Sequence, residues 1–356
     1  MNKKYYIIPI FVPHKGCPHD CVFCNQKKIT GSEIEIDENF VYSQVDDYLK
    51  TIDRNNSHIE LSFYGGSFTG IPVDYQNELL KAANNILLEG KIDDIRISTR
   101  PDYINRFILE NLSKYNVGII ELGVQSLDEE VLKASERGHT TEDVFNAVRL
   151  IKSFGLKLGL QMMIGLPKDN LIKDIDTAQK IIELKPDFVR IYPALIIKDT
   201  YMEWMYYNGI YTPLSLDEAI FVSKKVYLMF LKSDIPVIRI GLQASEGINL
   251  GKDVIAGPFH PSFRELVESS ILSDMIEFVV NEYFNEENLL RIRISNNYIS
   301  KLYAGKKKYY NDLKERLKNI KLNIETDYSL EGEYLLFESD KLSRKMSIKD
   351  YAKISI

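Results

Sequence analysis

The sequence predicts an α/β fold: a partial (β/α)6 TIM-like barrel followed by a small C-terminal α/β appendage. Three observations carry this. Apolar runs of strand length alternate with longer segments whose apolar residues recur at helical spacing. No Asn-Gly or Asp-Gly hairpin signal separates consecutive strands, so the repetition implies parallel strands and right-handed crossovers, in a complete or partial barrel or an open doubly wound sheet. The unusual polar residues sit at strand ends, where a parallel barrel gathers its chemistry, and this favours the barrel.

Taken in order, residues 5–12 form the first strand and lead into a loop holding every cysteine of the chain. The strand at 59–64 ends on Tyr64-Gly65-Gly66-Ser67, and the helix after it shows Leu79, Ala83, Ile86 and Leu87 on one face. The strand at 95–99 finishes with Ser98 and Arg100. In the strand at 119–125, alternation puts Glu121, Gly123 and Gln125 on one face. A helix with Val144, Val148, Ile151 and Phe154 follows, closed by Gly155. The strand at 158–164 contains Gln161, the strand at 188–192 contains Arg190 and Tyr192, and Arg239, Gly241 and Gln243 share a face in and just beyond the strand at 237–242. Polar groups inside strands are costly unless they meet partners or a ligand. For any single residue a self-satisfied polar layer is the alternative.

Beyond residue 245 the pattern changes. Gly247, Gly251 and Gly257-Pro258 punctuate a loop, and a helix is expected at 264–283. Ser262 and Glu265 fit a capping box, so His260 either belongs to a helix start or reaches the barrel mouth. A strand at 289–294, a helix at 305–317 and short strands near Leu322 and Leu335 complete the tail. The expected division is therefore a barrel over residues 1–245 and an appendage over 246–356.

With 356 residues, 45% apolar and 27% charged, the composition excludes disordered, collagen-like and coiled-coil classes. A net charge of −6 gives no molecule-wide basic field. No apolar run approaches the roughly 20 residues that span a bilayer, which argues against a membrane. Lys3 and Lys4 precede a short apolar stretch, but Pro9 and Pro13 interrupt it without a cleavage site, so a cytoplasmic address is expected.

Cys17, Cys21 and Cys24 are the only cysteines, three within eight residues. An odd, tightly clustered set is no disulfide scaffold and points to one metal object. The spacing C-x3-C-x2-C suits three irons of a cubane cluster, leaving the fourth iron open to a substrate or cofactor. The alternative is zinc with His14 or His19 as a fourth ligand, although His58, His139 and His260 form no second ligand pair.

The triplet, with Phe23 just before its last cysteine, resembles the signature of the radical S-adenosylmethionine superfamily. The resemblance extends to Tyr64-Gly65-Gly66-Ser67-Phe68-Thr69-Gly70, Ser98-Thr-Arg100-Pro-Asp102-Tyr103, Glu121-Leu-Gly-Val-Gln125-Ser126, Gly165-Leu-Pro167 and the run from Ile191 to Thr200. These look like the branch holding the elongator catalytic subunit, which modifies wobble uridine in tRNA, and they span about residues 9–245. The resemblance implies a 4Fe–4S cluster on Cys17, Cys21 and Cys24, with S-adenosyl-L-methionine chelating the open iron and reductively cleaved to a 5′-deoxyadenosyl radical. It implies cofactor contacts at Phe23, Gly65, Gly66, Ser67, Ser98, Arg100, Glu121, Gln125, Gln161 and Arg190. Within that set Gly65 and Gly66 would meet the methionine amino group, Arg100 its carboxylate, Glu121 the ribose and Gln161 the adenosyl end. Plain tight turns are the alternative for the two glycines. An electron donor such as flavodoxin or ferredoxin and an oxygen-sensitive cluster are implied as well.

The match departs from the elongator subunit after the barrel, where no glycine-rich acyl-CoA loop is found, so an acetyltransferase domain is not expected here. Three cysteines also leave none for a second cluster. RNA remains the expected substrate. From Lys301 to Lys321 there are eight lysines and arginines against two acidic residues, with Tyr303, Tyr309 and Tyr310 interleaved. That segment reads either as a tRNA-like contact or as a solvated helix face. Tyr201, Trp204, Tyr206 and Tyr207 are expected to serve packing. The competing functions are a small-molecule radical enzyme acting on a porphyrinogen, and a non-catalytic, zinc-stabilised RNA-binding protein.

Overall fold

The structure, a computed structural model, describes residues 4–12, 21–25, 36–242, 249–330 and 333–355. Lys3, Pro13, His14, Cys17, His19, Gln243 and Gly247, named above, lie outside the described residues. The strands are β1 (Lys4–Val12), β2 (Ser57–Gly65), β3 (Asp94–Thr99), β4 (Val117–Gln125), β5 (Lys157–Ile164), β6 (Phe188–Pro193), the two-residue β7 (Ile196–Ile197) and β8 (Val237–Ile240). β1 to β6 and β8 pair side by side in chain order as one seven-stranded sheet, every pairing parallel. The order never reverses, so crossovers of one hand place the helices on one face and a doubly wound sheet is excluded. β1 and β8 are the free edges, and the sheet is the curled half-barrel the sequence predicts.

The return helices are α1 (Glu38–Leu49), α2 (Val73–Leu88), α3 (Arg106–Lys114), α4 (Glu129–Ala134), α5 (Thr141–Ser153), α6 (Leu171–Glu183), α7 (Tyr201–Tyr207) and α8 (Leu216–Lys232). Their starts are set locally. Thr140 with Asp143, and Ser215 with Glu218, form capping boxes at α5 and α8. Asp37, Asn105, Asp128, Asn170 and Thr200 cap five others with side-chain oxygens. The outer strand face is apolar: Leu61, Phe63, Ile97, Leu122, Leu160 and Ile191 are fully buried in the core. The inner face alternates to Ser62, Tyr64, Arg96, Ser98, Glu121, Gln161 and Arg190, which is why one strand can serve both a core and a polar lumen.

After β9 (Val254–Ala256), which pairs antiparallel with β7, α9 (Phe263–Tyr283) lies along α8. The expected capping box at Ser262 does not form: Ser262 makes no side-chain cap, and its N–H donates to His260 Nδ1 at 3.1 Å. With φ −106° and ψ 41°, Ser262 is outside the extended conformation that aims a hydroxyl at the first helical turn. His260 thereby belongs to the helix start. A four-stranded sheet follows, ordered β11 (Lys321–Asp327), β10 (Leu289–Ser295), β12 (Tyr334–Glu338), β13 (Ser343–Ser347), with α10 (Asn296–Leu302), α11 (Lys308–Arg316) and α12 (Ile348–Ser355). The ribbon of β7 with β9, together with α10, β13 and α12, escapes the sequence reading. β13 is a polar edge strand without alternation and β7 has two residues, so neither carries a period. One apolar core runs from Ile8 to Ala352, joining barrel and appendage.

Candidate functional site

β2 ends at Gly65, whose φ is +110°, and a Cβ there would lie 2.3 Å from the Val12 carbonyl oxygen. Only glycine lets β1 and β2 finish this close together. Gly66 and the buried Ser67 continue into a short turn of 3-10 helix at Phe68–Gly70.

Inside the barrel a chain of charges crosses the strands. Glu60 pairs with Arg96, Arg96 Nη1 lies 3.3 Å from Glu121 Oε2, and Arg190 Nε lies 3.2 Å from Glu121 Oε1. Arg96 also stacks 4.5 Å over the Phe188 ring, and adding a Cβ at Gly159 would strike that same ring. Burial pushes the Glu60 carboxyl up to about 7, against the pull of Arg96. Arg190 then donates from Nη2 to the Tyr64 hydroxyl at 2.6 Å and from Nη1 to the Tyr192 hydroxyl at 3.2 Å. Glu121 thus holds two guanidinium groups, and Arg190 fixes two phenols at the mouth. Ser98, half-buried, stands in register beside Glu121.

Gln125 has a φ of +67° at a register shift between β4 and β5. That bulge turns its amide onto Gln161, whose Nε2 donates to Gln125 Oε1 at 3.3 Å. The alternation expected for Glu121, Gly123 and Gln125 is broken there by the inserted residue.

Cys21 and Cys24 are joined by a turn in which Cys24 N–H donates to the Cys21 carbonyl at 2.8 Å. Val22 is buried in a small apolar cluster with Ile196 and Met202, and Phe23 packs against that cluster. Arg137 Nη1 lies 3.4 Å from Cys21 Sγ and Arg100 Nη1 lies 3.9 Å from it. Arg137 is anchored by the Gly123 carbonyl at 2.8 Å, and Arg100 is held in a two-point pair with Asp102 at 2.9 Å. Two guanidinium groups therefore flank the Cys21 sulfur. The described histidines are occupied elsewhere: His58 with Asp94, His139 with the Val124 carbonyl, His260 with the Ser262 N–H. The zinc alternative gains no ligand from them. The three-residue group His58, Glu60 and Asp94 lies toward the N-terminal end of the strands, and Arg96 and Lys157 already pair with its carboxylates.

Sequence reasoning missed Arg137 and His139, which follow α4 rather than a strand. Burial, then the charges of Arg137 and Arg100, push the His139 imidazole down to about 3, so it stays neutral. It also missed Asp169 and Asp174 beside the Gly165-Leu166-Pro167 turn. Burial raises both carboxyls; Asp169 pushes Asp174 further up, to about 9, while the hydrogen bond with Asp174 holds Asp169 down, so the proton stays on Asp174. Tyr211 closes that turn by donating to the Gly165 carbonyl at 2.5 Å. Buried acids inside a turn and helix start carry no periodic signal.

The basic segment is partly neutralised. Lys301, Lys308 and Arg316 pair with Glu268, Asp217 and Glu277. Tyr310 is buried in the core, and Tyr303 and Tyr309 pack against it. Lys306 and Lys307 stay exposed with φ of +55° and +66°. Asp217 is in the first turn of α8, and Gly305 abuts Leu266 near the start of α9. Both helices begin where strands end, so this turn lies on the mouth side. Tyr201 and Trp204, expected to pack, are instead about half exposed and stacked 5.1 Å apart.

The chain matches the family model for the radical SAM superfamily over residues 11–181 and the radical SAM C-terminal domain over residues 186–272. It is 29% identical over 296 residues to a protein of Methanocaldococcus jannaschii named tRNA uridine(34) acetyltransferase, covering 69% of this chain and 54% of that one. It is also 29% identical over 200 residues to elongator complex protein 3 of Dictyostelium discoideum, covering 51% of this chain and 36% of that one. Among solved structures, archaeal Methanocaldococcus infernus Elp3 with an N-terminal deletion superposes with a TM-score of 0.59 at 25% identity, covering 77% of this chain and 64% of that one. The chain spans about half the length of the tRNA uridine(34) acetyltransferase of Methanocaldococcus jannaschii.

Proposed function

Because this chain belongs to the radical S-adenosylmethionine superfamily and is one of its enzymes, we propose that it modifies an RNA of the transfer-RNA class. The observation that carries the reading is the similarity, over 69% of the chain, to a protein named for tRNA uridine 34. The superfamily uses a 4Fe–4S cluster and S-adenosylmethionine, and the donor set around Cys21 suits them. When bound, this pair supplies reductive one-electron cleavage of the cofactor's carbon–sulfur bond.

The chain's own residues divide the remaining work. Cys17, Cys21 and Cys24 would hold the cluster, with Arg137 and Arg100 against the Cys21 sulfur. Gly65 and Gly66 offer bare backbone to the cofactor's amino end. Phe23, Ser67 and Ser98 border the same mouth, and Gln125 and Gln161 present paired amides to the lumen. Glu121 and Arg190 hold Tyr64 and Tyr192 in place. Lys306 and Lys307 would meet the RNA backbone on the mouth side. An external donor such as flavodoxin or ferredoxin would deliver the electron. Among the described residues no helix is long and apolar enough to cross a membrane.

The test is anaerobic. The reconstituted full chain, dithionite and tRNA from cells lacking the gene are incubated, and 5′-deoxyadenosine and RNA nucleosides are followed by mass spectrometry. RNA-dependent 5′-deoxyadenosine with one altered nucleoside is expected. Cofactor cleavage that tRNA never stimulates, with a porphyrinogen consumed instead, would replace this reading with the small-molecule one.

A further inference from the structure

Arg239 occupies the last barrel strand, β8. In the register, Val189 pairs with Val237 and Arg190 with Arg239, so Ile238 is the extra residue of a bulge. Val189 and Val237 share the core, and Ile191 and Ile240 do likewise, so Arg239 faces the lumen beside Arg190. Its charge acts on the Tyr192 phenol. Arg239 is half-buried and, among the described residues, has no ion pair, hydrogen bond or aromatic partner.

The neighbouring phenols add to this. Arg190 N–H groups donate to the oxygens of both Tyr64 and Tyr192, so each hydroxyl keeps its own hydrogen for another acceptor. Among the described residues, no acceptor receives either one. A guanidinium and two O–H donors therefore line this side of the mouth with hydrogen-bond donors only, and such a wall recognises an oxyanion. Arg239 stands four strands along the sheet from β3, after which Arg100 approaches Cys21, while Tyr64 reaches Arg190 from β2.

We propose that Arg239, with the Tyr64 and Tyr192 hydroxyls, forms an oxyanion subsite that grips a phosphate of the RNA substrate beside the reacting nucleotide. This rests on the RNA reading above. Arg239 would take two phosphate oxygens through its fork, and the phenols would orient a third contact.

Two measurements on the reconstituted full chain test it. Phenylglyoxal labelling, read by peptide mass spectrometry, should mark Arg239 in the free protein and be suppressed by inorganic phosphate and by a uridine-bearing RNA stem-loop. Arg190, enclosed by its partners, should stay unmarked throughout. In RNA-binding titrations, Arg239→Gln should weaken affinity about tenfold. It should also reduce the slope of log K against log salt by about 0.7–0.9, one phosphate contact. Arg239→Lys should keep the slope, and Tyr192→Phe should weaken binding with the slope unchanged. Labelling of Arg239 unaffected by phosphate or RNA, with wild-type affinity and slope in Arg239→Gln, would overturn the subsite. Phosphate protection with no RNA binding by the wild type would instead overturn the RNA reading and leave the oxyanion subsite standing.

Discussion

Glu121 is 1% exposed and meets two guanidinium groups, so its carboxylate is the hinge of a buried charge chain. Removing one charge from such a set leaves the others uncompensated, at about 3–5 kcal/mol. Glu121→Gln should therefore lower stability by about 3 kcal/mol in urea unfolding, and an unchanged midpoint would show that the chain is solvated. The Asp169–Asp174 pair behaves in the opposite sense to a salt bridge. Burial raises both carboxyls above their unfolded values, so the folded state keeps a proton that the unfolded state releases. Stability from this pair is present in acid and is lost as pH rises through the raised range. Asp174→Asn keeps the shape without the titration. Its melting temperature relative to the parent should climb from pH 5 to pH 9; a constant difference would mean the pair is ionised in the fold.

The glycine at the end of β2 governs how two strands meet. Gly65→Ala combines a positive φ with a 2.3 Å approach to the Val12 carbonyl, whereas Gly90 has positive φ but open space around it. Gly65→Ala should cost clearly more stability than Gly90→Ala, whose penalty is conformational alone and about 1 kcal/mol. Equal losses would show that the strand ends can part. The turn at Gly305, Lys306 and Lys307 holds two lysines in left-handed backbone. Such strain persists where side-chain identity matters more than backbone comfort. Replacing both lysines with glycine should raise stability by about 1 kcal/mol or more while weakening RNA binding. Neutralising Lys308, already paired with Asp217, should change binding less.

For the whole molecule, metal content separates the enzyme from a zinc-stabilised binder. Anaerobic purification should give a brown protein with about four irons per chain, and Cys24→Ala should lose them. A colourless protein carrying one zinc would end the radical reading. The barrel was legible because parallel crossovers impose two alternating periods, and all seven sheet strands lie within two residues of their expected bounds at each end. The cysteine loop stood out because all three sulfurs fall within eight residues. The charge chain, the Arg137 contact and the acid pair were not, because their members meet across strands and loops far apart in sequence.

Local chemistry alone therefore determined the seven strands of the barrel sheet, the cysteine loop and the glycine-bearing mouth, since each depends on residues near one another along the chain. Only the tertiary structure decided which polar groups neutralise each other and which, like Arg239, face the lumen with no partner among the described residues. Pairing energy depends on distance in space and on burial, and neither is written in the order of the residues.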